Sequence, residues 1–215
     1  IVSTPTATDD CTFLINCAGL YSDSVAQLAG KSPNTKIIPF RGQYYRLKKN
    51  REYLVNHLVY PVPNPRYPFL GVHFTRRITG GIDAGPNAIL SLNREAYHAI
   101  IPHPKEALNT LMYRGLWRFI AKNPIHCWSE LMRSLSKDLF CHQLRLLVPD
   151  IRKHDLEVIP CGIRAQAMTL AGKLVDDFHI TKDRNALHVI NAPSPAATAC
   201  LAIGRHISGL TKDYA

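Results

Sequence analysis

The sequence holds no apolar run that could cross a bilayer. Stretches such as residues 196–204 fall well short of the roughly 20 residues a spanning helix needs. No CxxC pair is present, which argues against a metal centre or a disulfide framework. No zinc-finger spacing or RNP-like motif is present, which leaves nucleic acid without support as a partner. Internal repeats and low-complexity tracts are absent. No secretory pattern opens the chain, and neither does an initiator Met. The opening IVSTPTATDD reads as the middle of something, so a piece of a longer protein is expected. Acidic residues are the scarcer charge: 16 Asp and Glu stand against 26 Lys and Arg, a formal charge of +10 over 215 residues. The excess is spread along the chain, which fits a solvated basic surface as well as an anionic membrane face or an anionic small molecule.

What is present is enough apolar material for a core: 46% of residues are hydrophobic, and the length suits one domain or two interwoven ones. The six cysteines sit inside apolar stretches, as buried thiols in a reducing compartment do. TFLINCAGLYSD (12–23) reads as a buried strand ending in a turn. SDSVAQLAG (22–30) reads as a short helix with Ser22 as N-cap and Gly30 as its stop. Residues 36–86 alternate or run apolar over strand lengths between Pro, Gly and Asn, which predicts an antiparallel or mixed sheet; PNPRYP (63–68) is a rigid loop within it. Two amphipathic helices are predicted in PKEALNTLMYRGLWRFIAKN (104–123) and WSELMRSLSKDLFCHQLRLLVPD (128–150). Strands return in 156–169, 174–180 and 187–192, and a last helix runs from near Pro195 to near Gly209. The fold class is α/β with mixed α+β character.

Four stretches carry candidate chemistry. In NAPSPAATACLAIGRHI (191–207) a strand turns into a helix whose first residues are unusually small. Ser194 or Asn191 can cap it, and Pro195 suits its first turn. The small side chains of Ala196, Ala197 and Thr198 serve either close helix–sheet packing or the approach of a flat group to the backbone. In CGIRAQ (161–166), Arg164 lies on an apolar strand and needs an anionic partner. That partner is a ligand carboxylate, or Asp176 or Asp177 in a structural ion pair. In GVHFT (71–75), His73 is a core histidine or a general base near a substrate hydroxyl. In FRGQYY (40–45), Gly42 allows close backbone approach, and Gln43, Tyr44 and Tyr45 offer hydrogen bonds; one tyrosine must face the other side of the strand.

Taken together, NCAGLYSD, IIPFRGQYYRL, PFLGVHFTR, GIRAQA, LVDDF and NAPSPAAT, in this order, resemble the FAD-dependent L-2-hydroxyglutarate dehydrogenases and oxidases. These belong to the D-amino-acid-oxidase and glycine-oxidase-like superfamily, and the resemblance covers nearly all of residues 12–210. It implies a partial FAD-binding domain of glutathione-reductase type, built from 1–30 and 155–215, intertwined with a mixed-sheet, helix-covered substrate domain at 31–154. The implied reaction takes hydride from the substrate C2 to flavin N5 and gives 2-oxoglutarate from a small dicarboxylate. Arg164 matches the carboxylate-binding arginine of the superfamily and His73 is the implied base. Tyr44, Tyr45, Tyr60 and Gln166 are the implied pocket, and no metal is implied. The implied FAD contacts are Cys17, Ala18, Gly19, Arg41, Gly42, Gln43, Gly162, Asn191, Ser194, Pro195, Ala196, Ala197 and Thr198. The resemblance further implies electron delivery to the respiratory chain or to oxygen, with peripheral attachment to a bacterial inner membrane (cytoplasmic face) or a mitochondrial inner membrane. The chain departs from the pattern in lacking a GxGxxG turn for the FAD pyrophosphate. FAD binding by these residues alone is therefore expected to be weak, and an exposed sheet edge is expected where the absent strands belong. Two alternatives stay open: a related FAD-dependent oxidase of another 2-hydroxy or amino acid, and a truncated remnant without catalysis.

Overall fold

The computed structural model describes residues 1–62, 71–98, 101–193 and 196–211. In chain order the strands and helices are β1 (Val2–Ser3), β2 (Thr8–Asp9), β3 (Leu14–Asn16), α1 (Ser22–Leu28), β4 (Thr35–Leu47), β5 (His73–Arg76), β6 (Ile82–Gly85) and β7 (Ile89–Leu90). They continue with α2 (Pro104–Leu111), α3 (Arg114–Lys122), α4 (Pro124–Leu135), α5 (Lys137–Arg145), β8 (Leu156–Thr169), β9 (His179–Lys182), β10 (Ala186–Asn191) and α6 (Cys200–Gly209). The chain folds as two compact units. One holds Ile1–Ile37, Ala165–Thr169 and Leu174–Ala215; the other holds Ile38–Arg164 and Leu170–Lys173. The fold is mixed α/β, as the residue pattern led one to expect. The loop expected at 63–68 lies outside the described residues.

In the first unit, β10 runs parallel to β3 and antiparallel to β9. Every residue of β10 is buried, because its alternate side chains feed two layers. Leu187 and Val189 pack with Ile207 of α6, whereas Ile190 packs with Ala26 of α1, Ile37 and Ala167. The stretch expected to form a buried strand yields only the three residues of β3, an edge strand among the described residues, with Ile15 46% exposed. The edge expected from the sequence is thus present. Ser22 is not the N-cap: its hydroxyl donates to the carbonyl of Ile190 and ties α1 to the sheet. Asp23 is the stronger anchor, its buried carboxylate accepting from the backbone N–H of Ser24 and of Ile37.

In the second unit the sheet order is β5-β6-β4-β7, with β8 paired to β4. The described pairings of β4 with β6 and β7, and of β6 with β5, are antiparallel. One face of the sheet carries Tyr45, Leu47, Phe74, Ile82 and Ala84 into a core shared with Phe140, Cys141 and Leu144 of α5. The two long helices read from the periodicity are four short ones. The extended backbone of Tyr113 breaks the first, and the indole N–H of Trp117 donates to the Leu111 carbonyl across the break. Pro124 cannot extend α3 and instead opens α4. Ser136, also extended, accepts from the Leu139 N–H and caps α5. The apolar period runs through such breaks undisturbed, since one or two extended residues scarcely alter which side chains face the sheet. The cysteines differ from expectation as well: Cys141 and Cys161 are buried, Cys127 is half-buried, and Cys11, Cys17 and Cys200 are exposed.

Candidate functional site

In the second unit, one sheet face lines up three of the candidate site residues, Arg164, Tyr44 and His73. The register pairs His73 of β5 with Gly85 of β6, and Tyr45 of β4 with Ala84 of β6. Gly85 therefore lies between His73 and Tyr44, and cross-strand partners share a face. A Cβ added to Gly85 would come 2.7 Å from the Gln43 carbonyl oxygen and 3.3 Å from Cδ1 of Tyr44. On the far side of Tyr44 lies β8, where a Cβ on Gly162 would meet the Tyr44 ring at 3.9 Å. Arg164, two residues on, shares the face of Gly162. The row thus reads Arg164, Tyr44, Gly85, His73, with a glycine gap between the phenol and the imidazole.

The electrostatics of the row are mutual. Burial pushes the Tyr44 phenol above its ordinary range, the Arg164 guanidinium pulls it down by less, and Asp83 and Tyr60 push it up further. Burial lowers Arg164, partly offset by Tyr44; an arginine remains cationic nonetheless. The ring of Tyr60 stacks on His73 with centroids 4.3 Å apart. His73 Nδ1 lies 2.9 Å from the Gly71 carbonyl oxygen, which only accepts, so Nδ1 carries the proton and Nε2 keeps its lone pair. Burial holds the imidazole below its usual pKa, with the Gly71 hydrogen bond opposing.

Other expected site residues in this unit lie elsewhere. Tyr45 points away from the row into the core, its ring 4.7 Å from that of Phe140; the strand pleat forces this once Tyr44 faces the row. Gln43 donates from its side chain to the Tyr45 hydroxyl. Arg41 is buried, with Nε donating to the Ala96 carbonyl and to Cys161 Sγ. The close approach expected at Gly42 is made by the chain itself, for a Cβ there would lie 2.7 Å from Cβ of Pro86.

The first unit offers a second region. Parallel strands β3 and β10 run side by side until Asn16 pairs with His188, and β10 continues to Asn191. The crevice beyond the carboxyl ends of such strands is where ligands bind in open α/β sheets. Cys17, Ala18 and Gly19 follow β3 and are exposed, as are Ala197 and Thr198 after β10, with Ala196 half-buried. Asn16 shapes the first of these turns: Oδ1 accepts from the Ala18 N–H and Nδ2 donates to the Ser22 carbonyl. Asn191 is buried, accepting from the Ala167 N–H and donating to the Asp177 carbonyl, so it does not cap the following helix. Gln166 is buried and donates to the Val175 carbonyl. Ser194 and Pro195 lie outside the described residues.

Two positions escaped the sequence reading. Asn16 carried a signal, since Asn before a small-residue turn commonly bonds the backbone two residues on. Gly85 carried none that was local, because its role depends on which strands flank it.

A family model described as FAD dependent oxidoreductase (DAO) matches residues 1–210. The chain belongs to the DAO family of FAD dependent oxidoreductases. Among curated relatives, an L-2-hydroxyglutarate dehydrogenase of Indibacter alkaliphilus is 51% identical over 95% of this chain and 51% of its own length. A mitochondrial L-2-hydroxyglutarate dehydrogenase of Caenorhabditis elegans is 46% identical over 91% of this chain and 46% of its own. The corresponding Bos taurus protein is 40% identical over 94% and 44%. The chain thus spans about half the length of the curated DAO-family relatives it matches. Among solved structures, the dithionite-reduced L-alpha-glycerophosphate oxidase from Mycoplasma pneumoniae, with FAD bound, superposes with a TM-score of 0.60 at 21% identity. That match covers 90% of this chain and 41% of the oxidase, and it shows a likeness of fold.

Proposed function

We propose that this DAO-family chain serves the FAD-dependent oxidation of L-2-hydroxyglutarate to 2-oxoglutarate. The observation that carries the reading is the row that sets a cation at one end and a neutral imidazole at the other, on relatives of that name at 40–51% identity. The second unit acts as the substrate-binding part and the first as part of the flavin-binding domain. Arg164 receives the substrate carboxylate in its fork. Tyr44, kept neutral by burial, donates a hydrogen bond beside it. Nε2 of His73 takes the proton of the C2 hydroxyl, while the Gly71 carbonyl and the Tyr60 ring hold the imidazole in place. Bound FAD supplies the acceptor for the C2 hydrogen and its two electrons. The open turns at Cys17–Gly19 and at 196–198 fit a planar cofactor, being exposed, small and at the carboxyl ends of parallel strands. Arg41 and Gln43 do not join them, since both side chains are engaged within the second unit. Delivery of electrons to a membrane respiratory acceptor or to oxygen, with peripheral attachment at a bacterial or mitochondrial inner membrane, completes the reading. The mitochondrial names of two relatives support it, and no helix among the described residues is long and apolar enough to cross a membrane.

The test is flavin bleaching in the protein at its full natural length, loaded with FAD. L-2-hydroxyglutarate should bleach it, and Arg164→Leu should lower kcat/KM about a hundred-fold, as befits losing charge-assisted hydrogen bonds worth on the order of 3 kcal/mol. Bleaching by an amino acid but not by this hydroxy acid would overturn the substrate, and an unchanged kcat/KM in the variant would remove the role of Arg164.

A further inference from the structure

Helix α4 is turned inside out. None of its twelve residues is fully buried. Ile125, Trp128 and Leu135 are 85%, 65% and 71% exposed, and Leu131 is exposed between them. At this spacing the four side chains form one stripe on the outer side of the helix. The polar residues take the protected side instead: Glu130 accepts from the Ala88 N–H and pairs with Arg133, which also donates to Ser129. An ordinary surface helix has the opposite arrangement. The preceding helices extend the apolar surface with exposed Leu108 and Met112 and with Trp117, held by its indole bond to Leu111. A stripe of exposed apolar side chains along one helix, such as that of α4, marks a partner site.

Charge identifies the partner. Residues 104–145 carry seven Lys or Arg against three Asp or Glu. All three acids are engaged: Glu106 by the Arg94 N–H, Glu130 by Arg133, and Asp138 by Lys153. Lys105, Arg114 and Arg145 stay exposed. Exposed Trp and Leu on a helix too short to span, in a helical segment with a net excess of Lys and Arg, are the features of an element that lies flat in an anionic lipid surface. We propose that α4, with the exposed parts of α2 and α3, docks on an anionic bilayer with its axis in the membrane plane. The proposal rests on the membrane-attached part of the reading above and is independent of the substrate.

The experiment adds the full-length protein to vesicles of phosphatidylcholine, with or without phosphatidylglycerol, and measures co-sedimentation. Binding to the anionic vesicles is expected, weakened by salt. Ile125→Ser/Trp128→Ser/Leu135→Ser should lower partitioning by at least about ten-fold, since those side chains no longer enter lipid. Lys105→Glu/Arg114→Glu leaves the stripe intact and should weaken binding to anionic vesicles alone. Brominated acyl chains should quench Trp128 fluorescence, with less quenching in Trp128→Phe. Equal vesicle binding by all variants, no binding at all, or a stripe buried between two copies that the triple variant separates would each overturn the proposal. Flavin bleaching by L-2-hydroxyglutarate in vesicle-free buffer, wild type against triple variant, reports the oxidation reading separately.

Discussion

Tyr44 and Tyr45 are chain neighbours with unrelated work. Tyr45 packs on Phe140 in the core, and Tyr44 faces Arg164. A strand's period of two makes it certain that such a pair divides between faces. It does not say which goes where, because that depends on the helix α5 that covers one face. His73 shows the same limit: its type marked it as a core residue or a base, and the Gly71 carbonyl and the Tyr60 ring are what leave Nε2 available. A prediction follows for its titration. With His73 as the proposed base, the neutral imidazole is the active form, and burial holds its pKa below the usual value. Neutral base therefore persists to lower pH than for an ordinary histidine, and the acid limb of kcat/KM should fall below the usual imidazole range. His73→Gln should remove that limb and lower kcat/KM by about 100-fold or more. A limb that stays in the variant would assign it to another group.

At the scale of elements, Gly85 links β4, β6 and β5 at the centre of the row. Its φ of +137° is open to glycine and strained for any L side chain. An added Cβ would also press on Gln43 O and on the ring of Tyr44. Gly85→Ala should thus destabilise the protein by about 2 kcal/mol or more, seen as a lower urea midpoint at unchanged slope. A midpoint equal to that of wild type would mean that the backbone relaxes there freely. Gly85 falls within the 36–86 stretch, which read as strands between Pro, Gly and Asn, and so nothing local set it apart. Its packing role needed the distant β4 to be aligned with the β5–β6 hairpin. The helices teach the converse lesson. Their apolar period was legible at 104–150, yet the breaks at Tyr113 and Ser136 were not, since the capping bonds of Trp117 and Ser136 are local details that periodicity averages out.

At the scale of the molecule, the first unit is assembled from chain segments far apart in sequence, whereas the second is nearly continuous. The first unit joins β3 near one end of the chain to β10 near the other through a parallel pairing. A parallel neighbour demands a crossover, here of well over a hundred residues. The second edge of β3 is open among the described residues, and the 215 residues contain no GxGxxG turn. These residues alone should therefore bind FAD more weakly than about 1 μM. Stoichiometric binding in a micromolar titration would show that the turns at Cys17–Gly19 and 196–198 suffice without a pyrophosphate loop.

Strand and helix types, the alternation of faces, the resemblance to the DAO-superfamily dehydrogenases and the candidate Arg164 and His73 were all legible in the order of residues, because each rests on neighbours a few positions apart. Partners across long separations were not. The burial of Tyr45, the engagement of Arg41 by Ala96 and Cys161, the filling of Gly42 by Pro86 and the outward stripe of α4 exist only once distant segments are packed. Periodicity tells a side chain that it has two faces to choose from; the free energy that selects one comes from whatever the folded chain brings against it.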